Sequence, residues 1–216
     1  MDNNDVKNLL NRILSAVLFI PFIIIPILIE GYILFAFYIV LLSLMIIELK
    51  QMISIANNKI YLNLYLYVCI FTIFVFIISI QTIESIHLNI IEIIVTIWIF
   101  DTFCYLGGKI MNGKKLMPNI SKGKTFNGLF SGIIATLIIS FIYYLEFYNS
   151  FNKLIILTIP VIMLSFVGDL IVSVLKRSIN IKDSGYIMPG HGGIIDRMDS
   201  FIFVFFFFGI YLFIIA

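Results

Sequence analysis

The residues best suited to chemistry lie in one stretch, residues 173–199, which mixes acids with fixed cations. Five glycines and prolines prevent a continuous helix there. Backbone amides, a histidine and fixed cations suit phosphate oxygens. Carboxylates without thiols or a histidine cluster suit Mg²⁺, which is held by a few carboxylates plus substrate phosphates. The stretch therefore indicates a site for a metal-bound nucleotide. Its members are Ser173, Lys176, Arg177, Lys182, Asp183, Gly185, Pro189, Gly190, His191, Gly192, Gly193, Asp196, Arg197 and Asp199, with Asp169 just upstream.

Asp169 lies inside a predicted membrane helix. Asp169, Ser173 and Lys176 share one helix face at i, i+4 and i+7. At 1.5 Å per residue, the carboxylate lies about 10 Å inward of the lysine. A central aspartate costs about 2.5–3.5 kcal/mol of insertion free energy, which the surrounding apolar residues offset. An acid in this position marks function by default, and the alternative is a structural pair with a base.

Two further groups precede this stretch. Asp101 lies within the predicted helix 90–110, where it either lines the same cavity or accepts hydrogen bonds from neighbouring helices. The predicted loop 111–127 carries four lysines that can fix membrane topology. Among its residues, Lys124 and Thr125 are the candidates for substrate binding.

The composition predicts an all-α, polytopic membrane bundle in a single domain, residues 1–216. Hydrophobic residues make up 62% of the chain and charged residues only 12%, whereas soluble domains are about a quarter charged. Apolar runs recur along the whole length and predict about seven transmembrane helices, the first two joined as a tight hairpin at residues 30–31. The predicted spans are residues 13–29, 32–47, 61–80, 90–110, 128–147, 154–175 and 201–216. The predicted loops between them include 49–60, 111–127 and the Gly-rich loop before the last span.

The basic residues predict the orientation. With seven crossings and a cytoplasmic N-terminus, only Lys153 of the 14 Lys and Arg residues falls on the outer side. Because positive charge is retained in the cytoplasm, the Lys-rich loop and the Gly-rich loop are both expected on the cytoplasmic face, where nucleotides are found.

Three segments resemble signatures of the phosphatidate cytidylyltransferase (CDP-diacylglycerol synthase) family. The stretch 173–199 is similar to S-x-x-K-R-x4-K-D-x-G-x3-P-x-H-G-G-x2-D-R-x-D, with every fixed position matched. The string DTFCYLGGK, which begins at Asp101, resembles D-x-x-A-Y-x-x-G, with Cys104 in place of Ala. The string SKGKTFNG resembles S-P-K-K-T-W-E-G, with Asn127 in place of Glu.

The resemblance implies transfer of a cytidylyl group from CTP to phosphatidic acid, with Mg²⁺ as cofactor. The implied location is the lipid bilayer of a bacterial inner membrane, with the active site on the cytoplasmic side. No nucleic acid is expected as a partner, and a homodimer is left open. Asp169 and Asp196 are the implied metal ligands. The implied catalytic residues are Asp169, Lys176, Arg177, Asp183, Asp196 and Arg197. The implied substrate-binding residues are Ser173, Lys182, His191, Gly192, Gly193, Asp199, Lys124, Thr125 and Asp101.

Two other functions fit the same residues. A related CTP-dependent enzyme with another lipid or polyprenol acceptor fits, because nothing in the loop recognises acyl chains. An ion-coupled transporter would use Asp101 and Asp169 as coupling carboxylates. The lack of internal repeats and the concentration of charge at one membrane face disfavour the transporter.

Overall fold

Over the residues that the structure describes, the architecture is an all-α bundle of seven helices with one small β-hairpin. We describe a computed structural model over residues 21–29, 31–82, 86–148, 154–186 and 192–215. The helices are α1 (residues 21–29), α2 (Gly31–Ile55), α3 (Ile60–Thr82), α4 (Ile86–Met111), α5 (Phe126–Tyr148), α6 (Ile159–Ser178, preceded by a π-helical turn at Leu154–Thr158) and α7 (Ile195–Ile215). Strands β1 (Lys115–Met117) and β2 (Ser121–Thr125) lie between α4 and α5.

The predicted membrane character is confirmed in outline. Among the described residues, four helical segments are long and apolar enough to cross a bilayer, and residues 60–75 of α3 form a shorter apolar helix. The four segments are Gly31–Ile55, Ile90–Met111, Phe126–Phe147 and Leu154–Ser178. The predicted break between the first two spans is also confirmed, since Gly31 begins α2 with a φ of +57°, a conformation that favours glycine.

Several helix boundaries differ from the sequence prediction, and the differences in α2, α6 and α7 carry polar residues onto a helix. Helix α2 continues to Ile55 instead of giving way to a loop at residue 49. Helix α6 continues to Ser178. Asn180 then takes a φ of +59°, and the Ile181 N–H donates to the Lys176 carbonyl, so a left-handed residue ends the helix. Helix α7 begins at Ile195, six residues before the predicted start at 201.

The predicted loop 111–127 contains an antiparallel β-hairpin, so its prediction as a plain loop is wrong. Lys115 pairs with Thr125 and Met117 with Ser121. The Thr125 hydroxyl accepts a 3.1 Å hydrogen bond from the Gly128 N–H, which caps the N-terminus of α5. The hairpin is therefore joined to α5 without a flexible linker.

Helices α4 and α5 approach each other closely through small residues. A Cβ at Gly128 would lie 2.6 Å from the Cys104 carbonyl oxygen, and one at Gly132 would lie 3.1 Å from the Phe100 carbonyl oxygen. The Ser131 hydroxyl donates to the Phe103 carbonyl at 2.8 Å. Since lipid is as apolar as the helices, such close packing and hydrogen bonding supply the association energy in a membrane.

Helices α2, α3 and α7 form much of the apolar core, together with the N-terminal half of α4. Met45, Leu49, Cys69 and Ile93 are each fully buried in it. Tyr65 is also buried and stacks on Phe203 with ring centroids 6.1 Å apart, so this face of α3 packs on α7.

Candidate active site

A cavity of about 470 Å³ opens between α4, the β-hairpin, α5 and α6. Carboxylates reach it from two membrane helices, Asp101 on α4 and Asp169 on α6. Its basic residues are Lys109 at the end of α4, with Lys115 and Lys124 from the hairpin. The cavity therefore combines acids from within the membrane helices with bases from the segment that covers their ends.

Lys124 pairs with Asp169 across this cavity. The ammonium group lies 2.5 Å from a carboxylate oxygen of Asp169 and 5.1 Å from the ring centre of Phe166, one turn earlier on α6. The other carboxylate oxygen of Asp169 accepts a 3.3 Å hydrogen bond from Ser173. Asp101 lies within electrostatic range of both Lys124 and Asp169. The structure thus brings together four of the predicted site residues.

Lys176 and Asp196 form a second ion pair, at 2.6 Å. Both side chains are largely buried, with 12% and 9% of their surface exposed. Burial favours the neutral carboxyl, but hydrogen bonds from Lys176 and from the backbone N–H groups of Gly193 and Ser184, together with the charge of Lys176, outweigh it. The pKa of Asp196 therefore lies below its usual value, and the group is an anion at neutral pH.

The Gly-rich loop is folded around carboxylates of the protein itself. Asp196 Oδ2 accepts the N–H groups of Ser184 and Gly193 at 2.8 and 3.0 Å. Glu48 of α2 accepts those of Ile194 and Ile195 at 2.8 and 3.0 Å. These amides, which the sequence suggests as phosphate donors, are thus already engaged. Sequence reasoning missed Glu48, and its only signal is an acid at the end of an apolar run.

Asp199 lies within electrostatic range of one member of each ion pair. It follows Asp196 by three residues, so both lie on one face of α7. Close packing at Gly168, where a Cβ would lie 2.6 Å from the Asp199 carbonyl oxygen, holds α6 against α7 at this level. Asp199 interacts electrostatically with Asp169, Asp101 and Lys176. The Ser200 side chain of α7 in turn lies close to Asp101 of α4.

The donor set fits a hard divalent cation. Three carboxylates, on Asp101, Asp169 and Asp199, lie within electrostatic range of one another, and a cation among them would relieve their repulsion. Within the described ranges, no group of three or more Asp, Glu, His or Cys residues forms a ready-made metal cage. A divalent cation bound here would therefore need ligands besides these carboxylates, such as water and substrate phosphates.

Several predicted site residues lie beside this centre in other roles. Arg177 donates to the Ile120 carbonyl of the hairpin turn at 3.1 Å and to the Ile181 carbonyl at 2.7 Å, so it joins the hairpin to the chain after α6. Arg197 lies half-buried in the first turn of α7. Lys182 and Asp183 are exposed on the loop. His191 lies outside the described residues.

The predicted glycines allow side chains to pack closely against the loop backbone. Gly192 has a φ of +85°, and a Cβ there would lie 2.6 Å from the Asp196 carboxylate.

Thr125 caps α5 and also lines the cavity. Asp196 and Asp199 belong to a helix, where the sequence predicts a loop, because Glu48 satisfies the N–H groups of Ile194 and Ile195 and allows α7 to begin early.

Fold and site together define a helical membrane protein in which carboxylates and lysines meet at one end of the bundle. The cytidylyltransferase family model matches residues 61–215. A phosphatidate cytidylyltransferase of Rickettsia typhi is 35% identical over 219 residues, covering 96% of this chain and 95% of the relative. The phosphatidate cytidylyltransferase of Rickettsia prowazekii is 41% identical over 140 residues, which are 61% of its length. That of Staphylococcus saprophyticus is 42% identical over 123 residues, which are 47% of its length. The chain belongs to the cytidylyltransferase family.

Proposed function

We propose that this chain transfers the cytidylyl group of CTP to phosphatidic acid, giving CDP-diacylglycerol and pyrophosphate. The relatives named phosphatidate cytidylyltransferase support this reaction. The observation that carries it in the structure is the meeting of Asp101, Asp169 and Asp199 with Lys124 and Lys176 at one end of the bundle. An ion-coupled transporter has no comparable support among the comparisons.

The reaction makes limited demands on proton transfer. A phosphate oxygen of the lipid attacks the α-phosphorus of CTP, the bond from that phosphorus to the oxygen bridging to the β-phosphate breaks, and pyrophosphate leaves. The lipid phosphate is already ionised at neutral pH, so no strong general base is needed. The protein must instead bring two anions together and stabilise charge in the transition state.

The lysines are placed for that task. Lys124 can exchange its contact with Asp169 for a phosphate oxygen, because the pair lines an open cavity. Lys176 is held by Asp196 and lies within electrostatic range of Asp199. Arg177 keeps the hairpin, and with it Lys124, against the end of α6. The bases thus reach the phosphates from the hairpin and from α6.

The residues present fit Mg²⁺, which when bound would neutralise the triphosphate and stabilise the charge that develops on it. Asp169 remains the predicted first ligand. Asp199 is better placed as the second ligand than Asp196, since both oxygens of Asp196 already accept hydrogen bonds from Lys176 and the loop amides. Asp196 then acts by holding Lys176 and the loop.

The site is proposed to face the cytoplasm at the inner membrane of a bacterium, where CTP is available. The distribution of Lys and Arg supports this orientation. The cavity also adjoins the membrane helices α4 and α6, so a lipid headgroup can approach from the bilayer while CTP enters from the water side.

The test is incorporation of radiolabelled CTP into chloroform-soluble product by the purified chain, with phosphatidic acid and Mg²⁺. We expect label in the lipid phase that EDTA abolishes. Label that appears only with a different lipid phosphate or a polyprenol phosphate would replace the acceptor and keep the reaction class. No label with any acceptor, from protein shown to be folded, would refute the proposal.

A further inference from the structure

We propose that Glu48 is a positioning residue that holds Ser184 and residues 193–195, at the start of α7, in their working conformation. This inference rests on the proposed reaction, although its structural part does not depend on which acceptor is used. Glu48 lies on α2, outside every segment that carries the family resemblance, and only 1% of its surface is exposed.

Glu48 accepts three hydrogen bonds from the loop. Its Oε2 accepts the Ser184 hydroxyl and the Ile195 N–H, both at 3.0 Å, and its Oε1 accepts the Ile194 N–H at 2.8 Å. A buried carboxylate is stable only where such donors replace its hydration. Glu48 is therefore built into the loop as one of its structural members.

These contacts place Glu48 at the N-terminus of α7. Ile194 and Ile195 supply the first N–H groups of that helix, and neither has a side chain that can cap it. The positive end of the helix dipole favours an anion at this point. Glu48 is that anion, so this helix end is occupied by a side chain of the protein, and substrate phosphate must bind elsewhere.

The same carboxylate accounts for two glycines of the loop. A Cβ at Gly193 would overlap both carboxylate oxygens of Glu48, and a Cβ at Gly185 would lie 2.7 Å from Oε1. Neither glycine has a positive φ in the structure, so conformational freedom does not explain them. They leave room for Glu48 to reach the loop backbone.

Glu48 acts on the reaction through Asp196. Ser184 donates its hydroxyl to Glu48 and its N–H to Asp196, while the consecutive amides of Gly193, Ile194 and Ile195 are divided between the two carboxylates. If Glu48 is lost, the loop loses one of its two anchors, and the geometry of Asp196 and Lys176 loosens with it.

The test compares Glu48→Gln and Glu48→Ala with Glu92→Gln, a matched control on α4 whose carboxylate accepts the Tyr143 hydroxyl away from the loop. Turnover with CTP and phosphatidic acid is measured together with hydrogen exchange at residues 192–199. We expect faster exchange at Ile194 and Ile195 and a loss of about 10- to 100-fold in kcat, the range seen when supporting residues are removed. Gln keeps one acceptor oxygen and should lose less than Ala, and Glu92→Gln should match the parent.

A reciprocal variant guards against simple misfolding. Gly185→Ala pushes Glu48 away from the loop, since the three atoms nearest its Cβ all belong to Glu48. Glu48→Ala removes that obstruction, so the double variant should lose less activity than the product of the two single losses. Unchanged exchange in Glu48→Gln, or faster exchange with parental kcat, would overturn the proposal. If the parent chain incorporates no CTP, the proposed reaction fails, and the exchange data alone then decide whether Glu48 anchors the loop.

Discussion

The Lys176–Asp196 pair gives the most specific quantitative prediction, through the substitution Asp196→Asn. The carboxylate now accepts Lys176 at 2.6 Å on one oxygen and two backbone N–H groups on the other. An amide has a single acceptor oxygen. Whichever way the Asn side chain turns, its NH₂ group faces a donor, either the lysine or the two loop amides.

The size of the effect follows from the burial of the pair. Breaking a buried ion pair by removing one partner costs about 3–5 kcal/mol, because the remaining charge is left without compensation. Since about a tenth of each side chain is exposed, the lower end of that range applies. About 3 kcal/mol corresponds to a loss of roughly 100-fold in turnover, if the transition state needs the intact pair.

The assay is CTP incorporation into lipid by Asp196→Asn, Lys176→Met and the double variant, each checked for insertion and for its thermal melting temperature. We expect each single variant to lose about 100-fold in turnover. The double variant should be no less active than the less active of the two single variants, as for residues that act as a unit. Turnover of Asp196→Asn within about threefold of the parent would refute the reasoning, because a change of about 0.7 kcal/mol is too small for a broken buried pair.

Three further predictions follow from the same geometry. Lys124→Gln should raise the KM for CTP about tenfold, by loss of one charge-assisted phosphate contact, whereas Lys114→Gln, exposed outside the cavity, should not; CTP titration checks both. Gly132→Leu should lower the melting temperature, because overpacking costs about 1–3 kcal/mol of folding free energy. Gly123→Ala should leave it unchanged, because nothing lies near a Cβ at that position. Because the pKa of Asp196 is lowered from 3.8, its stabilising effect is complete above that value and lost as pH falls through the folded-state pKa. The melting difference between parent and Asp196→Asn should therefore stay constant from about pH 5 to 8 and shrink in stronger acid.

The helical order of the bundle follows from the sequence because apolar run length is a local property. The break at Gly31 and the beginnings of the helices at residues 60 and 126 coincide with changes in hydropathy. The helix ends near the site do not, because they depend on tertiary hydrogen bonds. Helix α7 can begin at Ile195 only because Glu48, 147 residues earlier, satisfies its N–H group.

The candidate site likewise combines residues that the sequence identifies with contacts that it does not show. The motif residues Asp169, Lys176 and Asp196 are identifiable from their spacing, and the structure places each of them in an ion pair. The partner of Asp169 was not predictable, since Lys124 reaches it from a hairpin that the sequence suggests is a loop. The engagement of four amides, those of Ser184, Gly193, Ile194 and Ile195, was not predictable either, because local sequence cannot show that carboxylates of the protein accept their hydrogen bonds.

The central claim is that this site transfers a cytidylyl group, and comparison of two labels in CTP tests it most directly. The purified chain is incubated with phosphatidic acid and Mg²⁺, with CTP labelled in either the α- or the γ-phosphate. The account predicts that the α-label enters the lipid and the γ-label is released as pyrophosphate. Transfer of the γ-label to lipid would indicate a kinase and contradict the account.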